Sequence, residues 1–154
     1  MSEHTVIVRW HMTEGEFVKG RYSRAHTWTF DGGLVVPGSS SPSVVRVPYS
    51  DPAAVDPEEA FVAAISSCHM LTFLHLAKKD GLDVRSYEDA ASGTMTPNER
   101  GVPWVSRVVL RPRIAWAGEP PAADRLADLH HRAHLECFIS CSVRSEIVVE
   151  TPAD

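Results

Sequence analysis

The sequence predicts an α+β fold, with a long central helix and a second helix packed on mainly antiparallel sheets. Three observations predict it. The stretch from Ala60 to Ala77 is apolar almost all round, the pattern of a helix enclosed on several sides. Segments that alternate apolar and polar residues flank it, most clearly Trp104 to Trp116, as in a strand with one packed and one wet face. The elements run strands, long helix, strands, helix, strand, which suits helices laid on an antiparallel sheet. A chain of 154 residues fits one domain, residues 1–154, able to bury a core without disulfide staples.

In chain order, Val6 to Trp10 reads as a first strand, Glu16 to Tyr22 as a second and Ala25 to Phe30 as a third. Asp31-Gly32-Gly33 signals a hairpin turn, after which Leu34-Val35-Val36 leaves as another strand. Gly38 to Pro42 is a loop, and Val44 to Tyr49 reads as a short strand or an extended arm. Asp56 opens the clearest helix. It can cap, Pro57 suits the first helical position, and Glu59 completes a capping-box pair. The helix is expected to run to Asp80 and stop at Gly81. Ser66, Ser67, His69, Thr72 and His75 interrupt it, and charged residues flank it closely, so a core position is expected rather than a membrane span.

Val84 to Met95 and Trp104 to Trp116 are expected to form two strands joined by a turn at Pro97 to Gly101. Trp104, Val108, Leu110, Ile114 and Trp116 would share one face, with Arg107, Arg111 and Arg113 on the other. A second helix is expected from about Ala122 to Cys137, with Leu126, Leu129, Ala133 and Cys137 facing inward. Val143, Ser145, Ile147 and Val149 alternate as a last strand.

Composition narrows the function. The chain is 44% hydrophobic and 23% charged, with a formal net charge of −5, so neither disorder nor a nucleic-acid partner is suggested. No basic run invites a membrane surface. The start, MSEHTVIVRW, lacks the features of a signal peptide, and a cytoplasmic location is the expectation. Three cysteines are an odd number for a secreted disulfide framework. In a reducing compartment such thiols serve the core, a metal or catalysis.

Cys68 is the first candidate. A buried cysteine is commonly a small inert hydrophobe. Here, however, Ser66, Ser67 and His69 surround it on an otherwise aliphatic helix, and buried polar groups need partners or a purpose. To act as a nucleophile Cys68 must be a thiolate, which burial opposes. The helix dipole is of no help this far past the first turn. A cation must therefore come from elsewhere. Arginine stays charged when partly buried, and the early strands offer Arg24 and Arg21. Such an arginine needs its own anion, and Glu58, ten residues before Cys68, is a candidate. It is equally an ordinary acidic residue favoured at a helix N-terminus. Cys137 and Cys141 are the other thiols; either could condense with an oxidised Cys68, with Cys137 placed better. A rival grouping is His130, His134 and Cys137 at i, i+4 and i+7, ligand types suited to zinc but matching no strong motif.

The block Asp56 to Ala64 leading to Ser67-Cys68-His69-Met70-Leu71 resembles the signature of the OsmC/Ohr family, and Cys137 to Ser140 resembles its second cysteine motif. The opening Tyr22 to Trp28, with Asp31-Gly32-Gly33, is similar to an OsmC-like subgroup. Phe138 stands where better-known members often have proline, and Cys141 is additional. The resemblance implies an intertwined homodimer with active sites at the interface, and reduction of organic hydroperoxides by a two-cysteine cycle. It implies Cys68 as the peroxidatic and Cys137 as the resolving cysteine. Glu58 becomes the glutamate that orients the catalytic arginine, taken as Arg24 with Arg21 in reserve. A dithiol donor, lipoyl-bearing or a small thiol protein, would restore the thiols, and neither a metal nor an organic cofactor is required. The alternative is a metal- or small-molecule-binding stress protein on the same fold, without peroxidase activity.

Overall fold

The computed structural model describes residues 1–151, which divide into two compact units, 1–60 and 61–154, with the boundary inside the long helix. In the first unit, β1 (Val6–Arg9), β4 (His26–Phe30) and β5 (Val35–Gly38) form an antiparallel sheet in the order β1-β4-β5. Between β1 and β4 the expected second strand is instead a small hairpin. β2 (Gly15–Glu16) and β3 (Arg21–Tyr22) pair across a 3-10 turn at Phe17–Lys19. Gly20 makes this possible: it takes φ 71°, a left-handed conformation that ends the turn and that glycine adopts without steric cost. Val44 to Tyr49 forms turns rather than a strand, with the Val44 and Tyr49 N–H groups donating to Ser41 and Arg46 carbonyls at 3.0 Å.

Helix α1 spans Pro57–Lys79. Its capping box is reciprocal: the Glu59 N–H donates to Asp56 Oδ1 at 2.8 Å and the Asp56 N–H donates to Glu59 Oε2 at 3.1 Å. It stops where expected. The Leu82 N–H reaches back to the Ala77 carbonyl at 2.9 Å and the Gly81 N–H to Lys78 at 3.2 Å, with Gly81 at φ 73°, the closure that a left-handed residue permits.

In the second unit the two long strands expected after α1 are each broken in two. β6 (Val84–Asp89) pairs antiparallel with β9 (Pro112–Trp116), and β7 (Ser92–Pro97) pairs antiparallel with β8 (Pro103–Leu110). The break has a local cause. The Asp89 carboxylate accepts the Arg111 backbone N–H at 2.6 Å and the Ser66 hydroxyl at 2.5 Å, and Pro112 has no N–H for a ladder. β8 also buries both of its faces at its end, with Val108, Val109 and Leu110 all in the core, so the one-wet-face expectation fails there. Helix α2 spans Ala123–Glu136 and β10 spans Glu146–Val149, the latter pairing in parallel with β8. The architecture is α+β with mostly antiparallel ladders, as the sequence predicts.

Two apolar clusters hold α1 in the second unit. Phe73, Leu76 and Ala77 meet Leu129 and Ala133 of α2 and Tyr87, Ile114 and Trp116 of the β6-β9 ladder. Ile65 packs on Val108 and Leu110, flanked by Val143, Ile147 and Val149. Alpha carbons come close here: a side chain at Gly93 would meet Val62 Cγ2 at 2.7 Å. By length and composition α1 could cross a bilayer, but this buried stripe has a protein partner. The expectation of a helix enclosed all round is met on one side; Leu71, 61% exposed, lies open in the single chain.

Candidate active site

The polar residues of α1 mostly find partners. Ser66 donates to Asp89, Thr72 Oγ1 donates to the Cys68 carbonyl at 2.9 Å, and His69 Nε2 lies 3.0 Å from His130 Nδ1. The His69 and His130 rings stack with centroids 5.4 Å apart and both are buried. Burial lowers each pKa to about 4, with the nearby His134 also disfavouring the charge on His69 and His69 that on His130. His69 thus turns away from the thiol, as its position on the helix predicts. The pairing itself was not foreseen. His69 falls on the Ile65–Phe73 stripe and His130 follows Leu129, a signal that both rings face inward.

Cys68 and Cys137 come together. Cys68 is partly buried and Cys137 wholly so, and both are reduced. Burial raises the Cys68 pKa, and the adjacent Cys137 side chain raises it further. The Ile139 N–H, donating to Cys68 Sγ at 3.5 Å, acts in the opposite direction. The Ser140 N–H donates to Cys137 Sγ at 3.4 Å. The turn after α2 therefore supplies a backbone donor to each sulfur. Apolar side chains stand exposed beside the pair: Leu71 one turn beyond Cys68, and Phe138, 83% exposed, directly after Cys137. The pair can exchange between dithiol and disulfide, and a thiolate at Cys68 would need a cation to offset its burial.

Arg24 and Glu58 belong to the first unit. The Arg24 Nη1 donates to the Gly20 carbonyl at 3.0 Å and the Tyr22 carbonyl at 2.6 Å, and the guanidinium lies 3.8 Å over the Tyr22 ring. No ion pair joins Arg24 to Glu58. Arg21 is exposed and paired with Glu16 at 2.7 Å. The rival histidine grouping is dispersed, since His130 faces His69 and Cys137 faces Cys68. Among the described residues, no three or more His, Cys, Asp or Glu side chains gather as a metal site.

Residues 50–152 match the model of the family described as OsmC-like protein. The chain belongs to the OsmC-like family. An OsmC-like protein of unknown function from Vibrio cholerae is 51% identical, with a TM-score of 0.94 over 99% of this chain and 100% of that one. Organic hydroperoxide resistance proteins share the OsmC-like fold at 18% identity. That of Elizabethkingia anophelis has a TM-score of 0.72, covering 98% of this chain and 94% of its own. OhrB of Bacillus subtilis has a TM-score of 0.70, covering 98% of each chain. No curated protein matches this chain.

Proposed function

We propose that this OsmC-like chain is a thiol-dependent peroxidase that reduces organic hydroperoxides. The observation that carries the reading is the meeting of Cys68 and Cys137, two thiols far apart in sequence and adjacent in the fold. The Cys68 thiolate attacks the outer peroxide oxygen, the O–O bond breaks, and an alcohol leaves after taking a proton. The Cys68 sulfenic acid then condenses with the Cys137 thiol, releasing water and forming a disulfide. A dithiol donor, lipoyl-bearing or a small thiol protein, restores both thiols. Exposed Leu71 and Phe138 favour an alkyl peroxide over hydrogen peroxide.

In this reading Arg24 supplies the cation for the thiolate and Glu58 orients it. Two Arg24 donors are engaged by carbonyls, which leaves others of the guanidinium's five for a sulfur and a carboxylate. Arg21, committed to Glu16, stays in reserve. The assembly is one OsmC-like domain per chain in an intertwined homodimer, working in the reducing cytoplasm. The test is consumption of cumene hydroperoxide with a dithiol reductant. Activity is expected in the native chain and its loss in Cys68→Ser; unchanged turnover in Cys68→Ser would sink the reading.

A further inference from the structure

The peroxide cycle uses two of three thiols and leaves Cys141 idle. Cys141 is exposed, so packing gives it little reason to be a cysteine. Its position is nevertheless fixed. Its N–H donates to the Cys137 carbonyl at 3.0 Å, and its S–H donates to the Leu135 carbonyl at 3.4 Å, at the end of α2. Ser140–Ser142 forms a 3-10 turn, so Cys137 and Cys141 sit at the two ends of one tight turn. Four residues wound in this way place their alpha carbons about 6 Å apart, within the range of roughly 4.4–6.8 Å that a disulfide spans.

The three thiols form a gradient of access: Cys137 is buried at 0% exposure, Cys68 is partly buried and Cys141 is exposed. A reductant must reach a disulfide sulfur to attack it. In a Cys68–Cys137 disulfide, the Cys137 sulfur is enclosed, with the Ser140 N–H against it. A dithiol carried on a protein has poor access to that bond. It has good access to Cys141.

We propose that Cys141 is a third redox cysteine, which passes the disulfide from the buried pair to the surface for reduction by a protein-borne dithiol. The proposal rests on the peroxidase reading. The Cys141 thiolate attacks Cys137 Sγ, the Cys137–Cys141 bond forms, and the Cys68–Cys137 bond breaks. Cys68 leaves with the electron pair as a thiolate. One disulfide is exchanged for another, so no oxidant is consumed and the proton shed by Cys141 goes to solvent. The external dithiol then attacks Cys141 Sγ and expels the Cys137 thiolate. Its second thiol closes the mixed disulfide, which returns Cys141 reduced and leaves the donor oxidised by two electrons. Cys68 is freed at the exchange step, before the donor arrives, and is ready for the next peroxide.

The experiment maps disulfides in the full chain after one equivalent of cumene hydroperoxide, with acid quenching at successive times. The tryptic peptide Ala133–Arg144 carries both Cys137 and Cys141. An internal disulfide lowers its mass by two hydrogens and leaves Cys68 open to alkylation, whereas a Cys68–Cys137 bond links two peptides. The linked peptides are expected first and the internal disulfide after them. Cys141→Ser is expected to take up its first equivalent of peroxide and stop at Cys68–Cys137. Its turnover with a thioredoxin as donor should fall about tenfold or more, and that with dithiothreitol by less than about twofold. The proposal is overturned if Cys141 stays alkylatable throughout, or if Cys141→Ser keeps full turnover with thioredoxin. Failure of the native chain to consume the first equivalent would overturn the peroxidase reading itself, a result separable from failure at recycling.

Discussion

The His69–His130 pair makes the fold sensitive to mild acid, and the size of the effect follows from its burial. Both imidazoles are buried, and both pKa values fall from 6.5 to about 4. In the unfolded chain they titrate near 6.5, so between these values the unfolded state binds more protons and stability falls as pH falls. From about pH 7.5 to about pH 5.5, each histidine costs about 1.3 kcal/mol, or roughly 2–3 kcal/mol for the pair. That is a large part of a domain's usual stability of about 5–15 kcal/mol. The first proton can be shared along the contact between His69 Nε2 and His130 Nδ1, 3.0 Å apart. A second would set N–H against N–H, and the nearby His134 opposes charge on His69, whereas Asp89 favours it. Urea unfolding at the two pH values, at equal protein concentration, compares the native chain with the double variant His69→Leu, His130→Leu. Subtracting one from the other cancels the remaining titrating groups. The native chain should lose roughly 2–3 kcal/mol more than the variant on acidification. Equal losses would refute the reasoning. So would ring titrations of the native protein by NMR that place both histidines near 6.5, a measurement that stands even if the variant folds poorly.

Two further expectations concern α1. Phe73→Ala removes a ring with 0% exposure from the contact with α2 and the β6-β9 ladder, and should cost about 3–5 kcal/mol, read as the shift in the urea midpoint. Asp56→Ala breaks both arms of the capping box and should cost about 1 kcal/mol; thermal unfolding checks it, and Asp56→Asn should recover most of the loss.

The parts of the fold written locally were legible. Asp56, Pro57 and Glu59 mark the start of α1 and Gly81 its end, because caps and left-handed glycines act over a few residues. The inward run Leu129, Ala133, Cys137 was equally plain, and all three are buried. What escaped were features made by distant partners. Nothing near Asp89 announces that its carboxylate will take the Arg111 N–H, yet that contact helps split two expected strands into four. The His69–His130 contact joins residues 61 apart, and each ring alone read as something else: one as a neighbour of the thiol, the other as a metal ligand. Likewise, the hairpin at Gly15 to Tyr22 depends on Gly20 at φ 71°, and the apolar pattern of that segment looks the same for a single strand.

The candidate site divides along the same line. Cys68 stood out because a polar cluster on an aliphatic helix demands a reason, and the structure supplies different reasons for different members. Ser66 serves Asp89, Thr72 serves the helix backbone and His69 serves α2. Cys68 alone of these side chains meets a second group able to change its oxidation state. Periodicity could not have found that partner, since Cys137 is brought in by the packing of α2. Nor does it connect Glu58 with the thiol. Ten residues make about 2.8 turns, which leaves Glu58 about 80° round the axis from Cys68, so any influence of Glu58 must pass through a third group. An arginine with spare donors is the group such an arrangement needs, and a thiol whose burial raises its pKa is the group that needs the arginine. Charge on Cys68 is therefore the quantity on which the peroxidase reading turns, and the Arg24 guanidinium, bound by two of its donors to backbone carbonyls, is the side chain best equipped to supply its counterpart.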